Sequence, residues 1–252
     1  MIASLPMYDR PANVAAHDTL WAHIRDNLRD AGVAAPASLD RVTHYEAGWA
    51  RPDLVLGQIC NLPLRAMFSG KVALIGAADY GLDGCPAGHY NSLFVVRKDA
   101  VGKTPKDFAN ARFVVNSLMS HSGYGAAQAW ARLHGFTFVP PMITDAHDNS
   151  LLAVVNGAAD IACIDAQTWW MQKQDMVETT QVRVIGWTDP SPGQTFIARL
   201  GEDTAIYFAA IEAAIADLPT NVTATLGLRG IMKLPEVDCD LPLPPLPAAI
   251  GA

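Results

Sequence analysis

The stretch that most constrains the fold runs from Arg112 to Leu133, because it joins a buried strand directly to a helix through a turn rich in hydroxyl groups. The apolar run 113–115 is typical of a parallel strand covered on both faces, and apolar residues then recur at helical spacing as far as Leu133. The turn between them has the sequence Ser120-His121-Ser122-Gly123.

This turn has two readings. Backbone N–H groups at the start of a helix have no intrahelical acceptor and carry the positive end of the helix dipole. With the hydroxyls of Ser120 and Ser122 they can hold a phosphate or a carboxylate. Serine is also a favoured N-cap residue, so the same turn can be a plain helix cap. The sequence predicts one or the other and leaves both open.

Composition narrows the class of ligand. Half of the 252 residues are apolar, which is enough to bury a sizeable core, and the formal net charge is −7. Nucleic acid and anionic membranes bind clustered Lys and Arg, so neither is an expected partner, and an anionic ligand must be held locally by dipoles and hydroxyls. Membrane insertion is not expected, because no apolar run approaches roughly 18 residues. Residues 1–10 lack the features of a signal peptide. The chain as written is therefore expected in the cytoplasm, or in the periplasm if its N-terminus is truncated.

The four cysteines show no CxxC pair and no histidine spacing suited to zinc, so neither a structural metal nor a cofactor is expected. Cys163 lies in an apolar run and is predicted to be a buried small hydrophobe. Cys60 and Cys85 each follow a predicted strand, so we expect them to lie close together at one end of a sheet, where they form a candidate disulfide. A bond there would indicate an oxidising compartment.

Strand and helix signals alternate along the chain and start again near residue 104. Apolar runs predict strands at 2–8, 41–45, 54–57, 71–76, 93–96, 113–115, 137–144, 161–164 and 182–187. Helical spacing predicts helices around 14–28, 64–68, 126–133, 151–155, 168–172 and 208–218, and a proline-rich tail without regular structure follows. This alternation predicts an α/β fold of two lobes, each a mainly parallel sheet flanked by helices.

The first lobe is predicted to comprise residues 1–91 and 189–252, and the second residues 92–188, with the ligand cleft between them. The hinges are expected near 91–93 and 187–190. In such sheets ligands bind beyond the carboxyl ends of strands. Side chains at those ends, our first candidates for a ligand site, are Tyr8, Gln58, Asn61, Ser120, Ser122 and Asp165.

Three segments carry a resemblance to a known family: Tyr90-Asn91-Ser92 with the run to Asp99, the serine turn with Tyr124, and the segment from Asn156 to Asp165. Together with the loop at 190–193, they resemble substrate-binding proteins of phosphate and phosphonate ABC transporters, which have a two-lobed, type II periplasmic-binding-protein-like fold. The resemblance covers roughly residues 1–200. It implies a binding protein for a small anion that serves an ABC permease.

The resemblance also implies residue roles. Ser120, Ser122 and the amide of Gly123 would hold phosphonate oxygens, and Asp165 would face a ligand amine. Three departures stand out: His121 replaces a second hydroxyl residue of the turn, the segment 58–61 replaces a Gly-Pro turn, and an export signal is missing. The full candidate ligand set is Tyr8, Gln58, Asn61, Tyr90, Ser120, His121, Ser122, Gly123 and Asp165.

Each candidate has a simpler structural reading. Asp165 can be a helix cap, and Tyr8 and Tyr90 can be rim aromatics of the fold. Trp187 is expected in the core. Serine catalysis with His121 is disfavoured, because adjacent residues cannot easily form the required hydrogen bond. The alternative function is a cytoplasmic enzyme on the same fold that acts on a small carboxylate, like those of menaquinone or thiamine biosynthesis. A monomer or weak dimer is expected.

Overall fold

The computed structural model describes residues 1–139 and 141–245, which divide into two compact units. Unit 1 comprises Met1–His89 and Pro192–Asp240, and unit 2 comprises Tyr90–Ser191 with the described residues that follow Asp240. The sequence prediction assigned the whole C-terminal segment to the first lobe. Residues 241–245 instead belong to unit 2, where the Tyr124 hydroxyl donates a hydrogen bond to the Pro245 carbonyl.

The strands, in chain order, are β1 (Ile2–Ser4), β2 (Leu54–Ile59), β3 (Val72–Asp79), β4 (His89–Tyr90), β5 (Ser92–Arg97), β6 (Phe113–Val115), β7 (Met142–Ile143), β8 (Ile161–Asp165), β9 (Val182–Trp187), β10 (Ser191–Pro192), β11 (Thr195–Arg199) and β12 (Gly230–Met232). The α-helices are α1 (Val14–Asp30), α2 (Tyr45–Trp49), α3 (Asn61–Pro63), α4 (Ala126–Leu133), α5 (His147–Val155), α6 (Ala166–Asp175), α7 (Thr204–Ala216), α8 (Thr220–Leu226) and α9 (Glu236–Cys239). Short 3₁₀ turns cover Pro11–Asn13, Pro105–Phe108 and Val177–Gln181, and π-helical turns cover Leu64–Phe68 and His121–Gly125.

Unit 1 is built on a five-stranded sheet with the order β1-β2-β11-β3-β12. β1 and β2 are parallel, whereas β11 is antiparallel to both of its neighbours and β12 is antiparallel to β3. One face is covered by α1 and α7, whose apolar sides share a core that includes Trp21, Ile24, Tyr207 and Ile211. The carboxyl ends of β1, β2 and β3 therefore lie at one edge of this sheet.

Unit 2 contains a second five-stranded sheet, with the order β7-β6-β8-β5-β9. β6 is parallel to β7 and β8, and β5 is antiparallel to β8 and β9. Aromatic side chains fill its core: the Phe113 and Phe138 rings stack at 4.5 Å, and Phe94 contacts both Phe138 and Trp130. This core supports the short strand β6, from which the serine turn continues.

The prediction of mainly parallel sheets requires correction, because both sheets are mixed. β11 was missed in the sequence, and it lies in the middle of the unit 1 sheet, where it separates β2 from β3. A five-residue strand followed by an exposed turn gives a weak periodic signal. β12 and α8 were missed because they are also short.

The strand predicted at 41–45 is also wrong. The Asp40 carboxylate accepts hydrogen bonds from the N–H groups of Val42 and Thr43, each at 2.8 Å, which closes a turn instead. Arg41 then pairs with Asp9 at 2.6 Å. Trp187, predicted to be in the core, is 48% exposed because it ends the edge strand β9.

The candidate disulfide is absent from the described residues: the sulfurs of Cys60 and Cys85 are not bonded to each other. The prediction assumed that the strands before these cysteines, β2 and β3, are adjacent. They are not, because β11 lies between them. Cys163 is buried as predicted.

None of the helices in residues 1–139 and 141–245 combines the length and apolar character that a membrane span requires.

The position of β11 predicts a large effect of truncating its central side chain. Ile197 is fully buried between β2 and β3, so Ile197→Ala leaves a cavity and should lower the free energy of unfolding by about 2–5 kcal/mol. Val42→Ala is the control, because Val42 is 96% exposed and its truncation should cost no more than about 0.5 kcal/mol. Urea denaturation measures both, and equal effects of the two changes would contradict the placement of β11.

Candidate anion site on the serine turn

The serine turn begins five residues after β6 and continues directly into α4. Ser120 caps it: the Gly123 N–H donates to Ser120 Oγ at 3.0 Å, and the N–H groups of Tyr124 and Gly125 donate to the Ser120 carbonyl at 3.1 and 3.0 Å. The π-helical turn His121–Gly125 and α4 together form one continuous helical segment. The helix cap predicted as one alternative is therefore present. It accounts for Ser120 and leaves the Ser122 hydroxyl to be explained.

The Ser122 hydroxyl lies in a short row of polar atoms. Its Oγ is 3.2 Å from Ser120 Oγ and 2.9 Å from Nε2 of His147, the first residue of α5. The thiol of Cys163, on β8, donates to the Ser122 carbonyl at 3.3 Å. This hydrogen bond fixes the backbone of the turn against β8. The row consists of Ser120, Ser122 and His147, which are buried or half-buried and come from two helical segments. His147 was not among the predicted site residues.

His147 is held in its neutral form. Burial lowers its pKa to about 4, and the neighbouring Asp148 only partly opposes this. Its Nδ1 is buried and has no hydrogen-bond partner among the described residues. A proton on Nδ1 would be a buried, unpaired donor, so we assign the proton to Nε2, which then donates to Ser122 Oγ. The Ser122 O–H is consequently a donor, either to Ser120 Oγ at 3.2 Å or to a further acceptor.

Gly123 is required by space. A Cβ added at this position would lie 2.2 Å from Asn116 Oδ1 and 3.3 Å from Ser120 Oγ. The same Asn116 oxygen is buried and has no hydrogen-bond partner within the described chain. Glycine therefore lets the turn fold tightly against the loop that leaves β6, which brings its two hydroxyls to the same place.

His121, the residue that departs from the family pattern, is buried within unit 2. Its Nε2 lies 3.0 Å from Ser191 Oγ, and its ring centroid is 6.1 Å from that of Tyr90. Both His121 and Tyr90 belong to the predicted ligand set. Here they are packed among residues of their own unit, next to the turn hydroxyls.

Asp165 ends β8 and forms the N-cap of α6. Its Oδ1 accepts from the Thr168 N–H at 2.8 Å, so the cap that was considered as its simpler reading is present. The residue is almost fully buried, and it pairs in register with Ser92 of β5. One carboxylate oxygen is therefore assigned to local structure, whatever the second one contacts.

The predicted site residues of unit 1 lie at or near the carboxyl ends of β1 and β2, as expected. The Tyr8 hydroxyl oxygen accepts from Gln194 Nε2 at 3.4 Å, and its ring packs edge-on against Tyr80 at 5.0 Å. Gln58 is buried in β2 opposite Phe196. Both Tyr8 and Gln58 are buried in this unit.

Asn61 has a structural role in unit 1. Its Nδ2 donates to the Cys239 carbonyl at 3.1 Å, and its Oδ1 accepts from Arg65 Nη1. Both ends of the amide are used to tie the segment after β2 to α9. A contact of Asn61 with the ligand stays a prediction.

The structure thus brings together Ser120, Ser122, Gly123 and His147 in unit 2, and adds the pair His121 and Ser191 beside them. His147 and Ser191 were missed because they are 25 and 70 residues away from their partners in the chain. The only signal for His147 was its place just before the predicted cap at Asp148. Periodicity identifies that helix but does not show which turn it faces.

The burial of His147 predicts a pH effect on stability. Between pH 6.5 and 4 the unfolded chain binds a proton at this histidine that the folded chain does not, so stability is lost as the pH falls through that window. Wild type should lose on the order of 3 kcal/mol more than His147→Gln across it. The exposed His44→Gln is the control and should follow wild type. Urea denaturation at a series of pH values measures this, and parallel profiles for wild type and His147→Gln would contradict the assignment.

Comparisons with known proteins identify the family and the fold. The sequence profile of the family described as "ABC transporter, phosphonate, periplasmic substrate-binding protein" matches residues 57–237. No curated protein sequence matches the chain.

Several solved structures are similar. PhnD1 from Prochlorococcus marinus (MIT 9301), in complex with methylphosphonate, has a TM-score of 0.72 at 17% identity, over 95% of this chain and 94% of that one. XAC2383 from Xanthomonas citri, bound to a chloride ion, has a TM-score of 0.70 at 14% identity, over 94% and 92%. A binding protein component of an ABC phosphonate transporter (PA3383) from Pseudomonas aeruginosa has a TM-score of 0.62 at 17% identity, over 92% and 80%.

At these identities the structures show the fold, which is the type II periplasmic-binding-protein-like α/β fold. The family profile goes further, because it matches more than half of the chain. Neither comparison supports the enzyme alternative. The chain therefore belongs to the family of periplasmic substrate-binding proteins of phosphonate ABC transporters.

Proposed function

We propose that this protein binds a small oxyanion, with phosphonates first and phosphate or a related anion next, on the serine turn of unit 2. The observation that carries the proposal is the row Ser120, Ser122 and His147 at the start of a helical segment. A simple helix cap needs Ser120 alone. It does not need a second buried hydroxyl held by a neutral histidine.

The proposed donors carry no charge. The site therefore needs no cluster of Lys and Arg, which agrees with the negative net charge of the chain. Ser122 donates through its hydroxyl, oriented by His147 Nε2–H, and the helix dipole adds favourable potential at the same place. Each hydrogen bond from a neutral donor to a charged acceptor contributes about 1.5–3 kcal/mol. Gly123 N–H is already donated to Ser120 Oγ, so we assign Gly123 the steric role of keeping the backbone close to the anion.

Ligand selection is a separate part of the proposal. Asp165 supplies a buried carboxylate in the same unit, and it would favour ligands that carry an amine. The Tyr90 ring lies beside the ring of His121, which belongs to the serine turn. Contributions of Tyr8 and Gln58 from unit 1 remain predictions. The related PhnD1 was solved with methylphosphonate, which makes this ligand the natural first probe.

Delivery of the ligand to an ABC permease is the second part of the proposal, and it rests on membership of the family. We expect a monomer or weak dimer in solution, which sedimentation can measure. Fractionation of cells that express the native gene distinguishes the periplasm, where the family works, from the cytoplasm expected from the sequence.

Ser122→Ala tests the anion site directly. The change removes one charge-assisted hydrogen bond, so the Kd for methylphosphonate and for phosphate should rise by a similar factor, roughly 10- to 150-fold. Ser117→Ala, in the same loop, is the matched control: its Oγ accepts from the Met119 N–H, and its loss should leave the Kd within about threefold. Calorimetry gives the affinities, and chromatography of the mixtures should recover the ligand unchanged. Equal affinities of wild type and Ser122→Ala would refute the site.

Asp165→Asn separates selection from anchoring. Asparagine caps helices as well as aspartate does, so the Thr168 N–H keeps its acceptor and the fold should be preserved. We expect weaker binding of 2-aminoethylphosphonate, by about 10-fold or more, and little change for methylphosphonate. Thermal denaturation checks the fold. If both ligands were weakened equally, Asp165 would be a structural residue only.

A further inference from the structure

His121 sits in the middle of the serine turn, yet its side chain is bonded to a residue 70 positions further along the chain. Its Nε2 and Ser191 Oγ are 3.0 Å apart, and the two residues are only 3% and 8% exposed. Buried polar pairs of this kind are held firmly, because separating them leaves two polar groups without partners. The pair therefore favours joint movement of the turn and Ser191.

Ser191 occupies a particular place in the chain. It is the last residue of unit 2 before the chain crosses to unit 1, and it begins β10. β10 pairs with β4, the strand at the earlier crossing, and β4 ends at Tyr90, whose ring lies beside His121. His121 thus contacts residues in both crossing segments from within the serine turn.

We propose that His121 is a positioning residue that couples the serine turn to the second crossing segment through Ser191. This inference rests on the proposed anion site. An anion held by Ser120 and Ser122 restrains the backbone between them, which carries His121. The ring passes that restraint to Ser191 through the buried hydrogen bond, so that occupancy of the turn orders the segment from 188 to 194.

The geometry favours this role over direct contact with the ligand. The nitrogen at the far end of the ring, Nε2, is used by Ser191. The hydroxyl oxygens of the residues on either side, Ser120 and Ser122, lie 3.2 Å from each other. A histidine here extends from the turn to the crossing segment, a distance that a serine or threonine side chain does not cover.

The test compares four variants with wild type: His121→Ala, Ser191→Ala, the double variant, and His121→Gln, whose amide nitrogen occupies nearly the same place as Nε2. Calorimetry with methylphosphonate and phosphate gives Kd. Hydrogen exchange of the amides in 188–194, with and without the ligand, gives the readout that a merely structural role would not move.

We expect the ligand to slow exchange in 188–194 of wild type and of His121→Gln, and to have little effect there in the two alanine variants. Each alanine variant should bind roughly 5- to 20-fold more weakly than wild type, and the double variant should bind no more weakly than either. If His121→Ala failed to fold, Ser191→Ala and His121→Gln would still carry the comparison.

The proposal is overturned if Ser191→Ala binds and slows exchange like wild type, or if the two alanine effects are additive. Either result, with wild type binding the anion, would leave the proposed function intact. Failure of wild type to bind any of the anions would instead remove the proposed function, and the coupling with it.

Discussion

The first turn of a buried helical segment needs acceptors for its N–H groups, and the arrangement of the site follows from how this chain supplies them. Ser120 provides the cap through both its hydroxyl and its carbonyl oxygen. The tight turn this requires is possible only with glycine at 123, because Asn116 occupies the space where a side chain would be. With the cap closed, the Ser122 hydroxyl lies against Ser120 on one side and His147 on the other. One local requirement of the backbone therefore places a second hydroxyl beside the cap, where we propose that an anion accepts from it.

The proposed donors to the anion carry no charge, which agrees with a protein of negative net charge. Burial keeps the pKa of His147 low, so that at neutral pH this residue orients a hydroxyl without adding a charge of its own. A serine and a histidine in contact also occur in hydrolases, but there a carboxylate orients the second ring nitrogen. Here that nitrogen is buried and has no hydrogen-bond partner in the described chain, which fits an oriented donor better than a base. This agrees with membership of a family of binding proteins.

The contact of His121 with Ser191 gives the serine turn a link beyond its own helix. We propose that occupancy of the site is passed to the second crossing segment through this buried hydrogen bond. Under this proposal, His121 exchanges the hydroxyl donor that the resemblance implies at this position for the link to Ser191. That exchange is measurable as coupling between positions 121 and 191.

The sequence by itself determined the α/β class, the buried strand β6, the serine turn and the cap at Asp165, because each depends on residues close together in the chain. Hydrophobic period, cap chemistry and the glycine of a turn are local properties. Only the tertiary structure decided that β11 lies between β2 and β3, which separates the strands that precede Cys60 and Cys85. It also decided that His147 faces Ser122 and that the Asn61 amide donates to the Cys239 carbonyl. Those facts depend on contacts between distant segments, and such contacts are set by packing, which leaves no periodic signal in the chain.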